Sequence, residues 1–74
     1  MIYFNAEAVT PSDTHHVNYT KLWVGDAGNV KVMTGGGQIV TFVGLQNGGS
    51  TPEGLEIQLV YSTGTTADYI IGMW

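Results

Sequence analysis

Apolar and polar residues alternate with a period of two through much of this chain. Leu55, Ile57, Leu59 and Tyr61 fall on one face of an extended segment, with Glu56, Gln58, Val60 and Ser62 on the other. That is the pattern of a half-buried strand, because successive side chains on a strand point to opposite faces. Tyr69, Ile71 and Met73 alternate in the same way with Ile70, Gly72 and Trp74. Both of those sets are apolar, so this last strand is expected to be covered on both sides. Val40 and Phe42 share one face of a third strand, with Ile39, Thr41 and Val43 facing away. Val30 and Val32 mark a fourth strand, and Tyr19 to Val24 a fifth.

Turn residues separate these runs. Gly25-Asp26-Ala27-Gly28-Asn29 reads as a hairpin loop between two short strands. Gly35-Gly36-Gly37 reads as the next tight connection, and Ser62-Thr63-Gly64-Thr65-Thr66 links the last two strands. Gly44 to Gly54 is the longest irregular stretch, with four glycines and Pro52, and is expected to be a mobile or partner-contacting loop. No window combines a helical apolar face with capping residues; Pro11-Ser12-Asp13-Thr14 suffices for one turn at most. The predicted fold is all-β: a small antiparallel sandwich or partly open barrel of five to six short strands, joined mainly by hairpins. Residues 1–74 are expected to form a single domain. Within it, residues 1–14 are an extended arm or an edge strand, because Ile2 to Val9 is apolar enough for either.

Composition adds a reason to expect association. A chain of 74 residues buries a modest share of its surface, and a lone core of this size supplies only about 3–5 kcal/mol. Disulfides and thiolate metal sites are excluded, since there is no cysteine. Partner subunits are then the favoured source of further burial. Charge is scarce: 11% of residues, net −4, two lysines and no arginine. Such a surface neutralises few phosphates, which disfavours nucleic acid and anionic membranes alike. No apolar run approaches the roughly 20 residues that span a bilayer. Met1-Ile2-Tyr3-Phe4-Asn5 lacks the basic and apolar regions of a secretory signal, so export by the general route is not expected.

The candidates for chemistry are few. His15 and His16 are adjacent, and on an extended chain their rings point apart, which is poor geometry for one metal ion. Asp13 shares a face with His15, and a third ligand would have to come from elsewhere, such as Glu7. Solvated loop histidines are the favoured reading, and no metal or cofactor is expected. Ser12, Ser50 and Ser62 sit in turn contexts, where hydroxyls bond the local backbone. The carboxylates Asp26, Glu53, Glu56 and Asp68 lie in or beside loops with no spacing that marks a paired site. Gly35-Gly36-Gly37 and Gly48-Gly49 lack the lysine and helix start of a phosphate loop. An enzyme is not expected. Tyr3, Tyr19, Trp23, Tyr61, Tyr69 and Trp74 suit core or subunit interfaces, or a sugar-stacking surface.

Several blocks, taken in order, resemble a known family. Asn5-Ala6-Glu7-Ala8-Val9-Thr10-Pro11-Ser12-Asp13-Thr14 is similar to the opening of the head spike base proteins of phages and gene transfer agents. Leu22-Trp23-Val24-Gly25-Asp26-Ala27-Gly28-Asn29-Val30 resembles that family's Leu-Tyr-Val-Gly-Gly-Ala-Gly-Asp-Val block. Gly36-Gly37-Gln38-Ile39-Val40-Thr41-Phe42 and Thr63-Gly64-Thr65-Thr66-Ala67 are similar to two more, and an apolar strand ending on an aromatic, here Trp74, agrees in kind. There are departures. The Gly44 to Gly54 loop is longer than the family's Pro-Ala-Gly type, and Glu56 and Gln58 stand where the family tends to carry arginines.

The resemblance implies a virion component on the capsid exterior, made in the host cytoplasm before assembly. It would act as a decoration (cement) protein or as a head spike base. Its partners would be copies of itself, as a trimer or pentamer, and the major capsid protein, with a spike or fibre protein as a further candidate. The capsid or subunit interface is expected at Ile2, Tyr3, Phe4, Asn5, Val9, Pro11, Trp23 and Trp74. The alternative is a small carbohydrate-binding adhesion module on a particle surface, favoured by the aromatics and the polar Gly44 to Gly54 loop.

Overall fold

The computed structural model describes residues 3–52 and 54–74. Among them are seven strands in two antiparallel sheets that pack as a sandwich. They are β1 (Ala6–Ala8), β2 (His16–Tyr19), β3 (Lys21–Asp26), β4 (Gly28–Thr34), β5 (Ile39–Leu45), β6 (Ile57–Val60) and β7 (Asp68–Met73). The small sheet has the order β1-β7-β3 and the large sheet β2-β6-β4-β5. The all-β expectation holds, with more strands than the five to six predicted.

The core lies between the sheets. Leu22, Val24 and Ile70 come from the small sheet; Tyr19, Val30, Val32, Ile57 and Val60 come from the large one. Leu22, Val24, Val30, Val32 and Ile57 are fully buried. In β4 alternation sends Val30, Val32 and Thr34 inward and leaves Lys31 and Met33 half-exposed, as period two requires.

In β6 the alternation breaks. Thr34 pairs with Ile57 but Met33 pairs with Leu59, so Gln58 is an extra residue on the β6 side. A bulge of this kind resets which face the following residues occupy. Ile57 and Val60, three apart, therefore both join the core, while Leu59 is buried outside that cluster. The predicted face of Leu55, Ile57, Leu59 and Tyr61 is split for this reason.

Connections differ most from expectation. Joining mainly by hairpins is incorrect; among the described residues only β4–β5 is a hairpin between consecutive strands. There Gly37 N–H bonds the Thr34 carbonyl at 2.9 Å and Thr34 N–H bonds the Gln38 carbonyl at 2.8 Å. Gly37 takes φ 83, the left-handed residue that closes a three-residue loop with a bulge. Gly25 to Asn29, by contrast, is no hairpin: β3 and β4 lie in different sheets, and the segment is a corner between them. The corner is held by distant partners. Asn29 N–H bonds Thr66 Oγ1 at 2.9 Å, the Asn29 carbonyl accepts Thr66 N–H at 2.8 Å, and Asn29 Oδ1 accepts Gly44 N–H at 2.9 Å.

Tyr19 to Val24 is likewise not one strand. Tyr19 pairs with Ile57 in the large sheet, whereas Lys21 pairs with Met73 in the small one, and Thr20 makes the turn between them. Before β2 the chain also crosses between sheets: Val9 N–H bonds the Ile70 carbonyl and Ser12 N–H the Val60 carbonyl, each at 2.8 Å. Gly44 to Gly54 is pinned through its middle to the free side of β3. Val24 N–H bonds the Gly49 carbonyl at 2.9 Å, Gly48 N–H bonds the Val24 carbonyl at 2.8 Å, and Thr51 N–H bonds the Leu22 carbonyl at 3.0 Å.

Candidate functional site

Three surfaces stand out once the fold is laid down. The first is the outer face of the small sheet. Register places Ala6 and Lys21 beside Met73, and Ala8 and Trp23 beside Ile71. Because Leu22, Val24 and Ile70 point inward, this second set points away from the core. It ends at Tyr69, 76% exposed, whose Cβ lies against Gly25. Trp23 is 39% exposed and Ile71 and Met73 are half-buried, so the strip is apolar apart from Lys21. Tyr69 also has φ 54, a left-handed backbone that side chains other than glycine and asparagine rarely adopt.

The second surface is a cleft of about 280 Å³ at one end of the sandwich, lined by Glu7, His15, His16, Asn18, Tyr19 and Trp74. The Tyr19 and Trp74 rings meet at 5.5 Å with a 46° tilt. Burial first, and then the charge of the Glu7 carboxylate, which also accepts a hydrogen bond from the Tyr19 hydroxyl, raise the Tyr19 pKa above its ordinary value. Trp74 is fixed by the backbone: its N–H bonds the Asn5 carbonyl, and its carbonyl accepts the N–H groups of Phe4 and Asn5. The third surface is β5, an edge strand on which Ile39 and Val43 are 57% and 75% exposed.

The residues predicted as an interface do not gather into one patch. Ile2 lies outside the described residues. Phe4, Asn5 and Trp74 sit together at the cleft end, with Phe4 89% exposed and Tyr3 half-buried. Val9 packs against the core and Pro11 lies in the crossing segment. Trp23 belongs to the outer face of the small sheet. Tyr69, named only among the aromatics that suit core or interface, and Ile71 and Met73, not named as interface, complete that face. The apolar character of both sides of the last strand was their signal.

The polar candidates are used structurally. Asp13, which spacing set beside His15, turns instead to the loop after β6. Its Oδ1 accepts Ser62 N–H at 3.0 Å, Ser62 Oγ at 3.2 Å and Thr63 N–H at 3.0 Å, and its Oδ2 accepts Thr63 Oγ1 at 2.7 Å. Ser12 Oγ accepts the N–H groups of Thr14 and His15, both at 3.3 Å. Asp26 and Asp68 are opposite each other in the β3–β7 ladder, and Glu56 accepts from Gln58 beside the large sheet. Glu53 lies outside the described residues. Among the described residues no group of three or more His, Asp or Glu side chains is placed to hold a metal ion.

The Asp13 contacts give a pH dependence. Hydrogen bonds from Thr63, and secondarily from Ser62, hold the Asp13 carboxyl below its ordinary value of 3.8. A depressed carboxylate stabilises the fold above its unfolded value, and that contribution is lost as pH falls through the lower folded value. Thermal melts are therefore expected to show Asp13→Asn less stable than the parent at pH 7, with the gap narrowing as pH falls below 3.8. A gap that persists unchanged in acid would contradict this.

Comparison of the chain with protein-family models, with curated proteins and with solved structures gives no match to any of them.

Proposed function

We propose that this chain is a virion structural protein of the capsid exterior, a decoration (cement) protein or a head spike base. It acts by associating with copies of itself, as a trimer or pentamer, and by binding the major capsid protein. The observation that carries the reading is the outer face of the small sheet: Trp23, Tyr69, Ile71 and Met73 form an apolar strip on a chain with little charge to spare. Aromatic and methionine side chains are the types that interfaces enrich, and charged ones are depleted there. The resemblance of Asn5 to Thr14 and of Leu22 to Val30 to head spike base proteins points the same way.

The test uses particles lacking the protein, to which the purified chain is added and sedimented. Binding is expected at threefold positions for cement and at fivefold vertices for a spike base. Tyr69→Asn separates binding from folding, because asparagine tolerates the left-handed backbone at this position. Its melting temperature is expected to equal or exceed the parent's, while particle affinity falls by about tenfold, the loss of one aromatic anchor. Unchanged affinity would remove this face from the interface.

The cleft supports a second reading, a carbohydrate-binding module. The Trp74 ring beside polar Glu7, His15, His16 and Asn18 offers a stacking face and hydrogen-bonding groups. A glycan array and a titration following tryptophan fluorescence distinguish the two readings. Silence in both leaves assembly alone.

A further inference from the structure

Strand β5 is a sheet edge without the usual protection. Edge strands offer unpaired N–H and C=O groups, and proteins normally guard them with lysine, proline, shortness or a cover. Here the edge runs for seven residues, Ile39–Leu45. No charged residue or histidine occurs anywhere from Val32 to Pro52. The one irregularity is near Gly44, where the β4–β5 register shifts between Val30–Phe42 and Gly28–Leu45. Regular pairing with β4 therefore runs from Ile39 to Phe42, and the Gly44 N–H, turned back to Asn29 Oδ1, leaves Val43 facing the open edge.

The hairpin fixes which groups of that edge are free. Thr34 N–H bonds the Gln38 carbonyl, and hydrogen-bonded and non-bonded pairs alternate along an antiparallel ladder. Val32–Val40 and Val30–Phe42 are then bonded pairs, while Met33–Ile39 and Lys31–Thr41 are not. Ile39 and Thr41, and Val43 by the same alternation, direct their N–H and C=O groups away from β4 to the open edge.

We propose that this edge pairs antiparallel with the same edge of a second copy, about a two-fold axis at Thr41. The sequence Ile39-Val40-Thr41-Phe42-Val43 is symmetric in kind about its centre. Pairing at that axis sets Ile39 against Val43 of the second copy, Val40 against Phe42, and Thr41 against Thr41. These are the β-branched, aromatic and threonine pairs that stabilise sheets. The residues that meet as hydrogen-bonded pairs are those with outward backbone groups, so each outward N–H finds a carbonyl. A chain of net charge −4 repels its copies through most of its surface, and this neutral edge is where a second copy approaches with least opposition. The two four-stranded sheets become one continuous sheet.

The proposal is separate from the trimer or pentamer of the proposed function, since a two-fold edge contact closes on two copies, and it does not depend on the capsid. Five paired residues bury less than a standard interface of about 1,600 Å², so the dimer is concentration-dependent.

Sedimentation and single-cysteine cross-linking test it. The parent is expected to reach dimer mass below about 1 mM. Thr41→Glu, whose carboxylate stands across from Lys31 within its own chain, is expected to halve that mass with an unchanged circular dichroism spectrum. Thr41→Cys places two thiols on the axis at a Cα spacing of about 5.5 Å, within disulfide reach. Val43→Cys, at a site 75% exposed, places them about 14 Å apart, from four residues at about 3.3 Å each along the strand and about 5.5 Å across it. Mild oxidation is expected to join the first at least tenfold faster than the second, and this arm decides the matter should the glutamate variant fail to fold. Equal cross-linking rates, or one mass for parent and Thr41→Glu, would overturn the pairing. A trimer or pentamer unaffected by Thr41→Glu would overturn it and leave assembly standing. Dimers that ignore particles would instead overturn the capsid reading alone.

Discussion

Replacing Gly72 with valine is expected to abolish the folded state. Gly72 lies on the inward side of β7 between Glu7 and Leu22, and the Tyr19 ring occupies the space its side chain would take. A Cβ there would fall within 2.6 Å of three carbons of that ring. The ring is 5% exposed, set against Trp74 and part of the core, so it can yield only toward the cleft it lines and at the cost of those contacts. Overpacking of this kind costs about 1–3 kcal/mol for modest additions and more for larger ones. The lone domain has only about 3–5 kcal/mol to lose. Gly72→Ala is expected to survive with a lowered midpoint in urea, and Gly72→Val to lose its cooperative transition. Adding Tyr19→Leu should recover part of the loss in Gly72→Ala, because the two residues contest one volume. A valine variant that melts like the parent would show that the ring does not cover Gly72.

The second large effect is expected from Thr51→Val, which keeps side-chain shape and removes one oxygen. Thr51 is 2% exposed, and its Oγ1 accepts the Leu22 N–H at 3.0 Å, while its own N–H bonds the Leu22 carbonyl at 3.0 Å. Leu22 is fully buried on β3, the strand at the end of the small sheet whose free side residues 48–51 cover. Valine leaves the Leu22 N–H without a partner where water does not reach, a penalty of about 1–3 kcal/mol. It also loosens the link that pins residues 48–51 to β3. Unfolding in urea should read the energy, and hydrogen exchange at the Leu22 amide should read the place. Exchange that accelerates everywhere equally would mean global destabilisation only.

Period two made much of this legible in advance. Val30 and Val32, and Val40 and Phe42 against Ile39, Thr41 and Val43, point as alternation says they should. The three glycines after Thr34 form the expected hairpin because that connection is settled locally. Where strands leave one sheet for the other, local pattern is silent. Gly25 to Asn29 suits a hairpin or a corner equally well; the choice is made by Thr66, Ala67 and Gly44, which grip Asn29 from far along the chain. Two breaks did leave traces. Tyr19 and Leu22 are both buried with polar Thr20 and Lys21 between them, and Ile57 and Val60 are both in the core at a spacing of three. Each spacing violates alternation where the chain turns or bulges.

The candidate surfaces were less legible, for a physical reason. Trp23, Tyr69, Ile71 and Met73 become neighbours only through the β3–β7 register, which joins positions almost fifty residues apart. Phe4 and Trp74, at opposite ends of the sequence, meet because the Asn5 and Trp74 backbones bond each other. Residue type marked Trp23 and Trp74 as interface candidates; only pairing divides them between two separate surfaces.

A chain with few charges, an uncovered apolar sheet face and an unguarded edge is expected to gain lasting stability by meeting others. The sedimentation mass of the purified protein across concentration, alone and with capsids that lack it, tests that most directly. The expected result is a mass above that of one chain at high concentration, and co-sedimentation with the capsids. A single-chain mass at every concentration, with the capsids left bare, would contradict it.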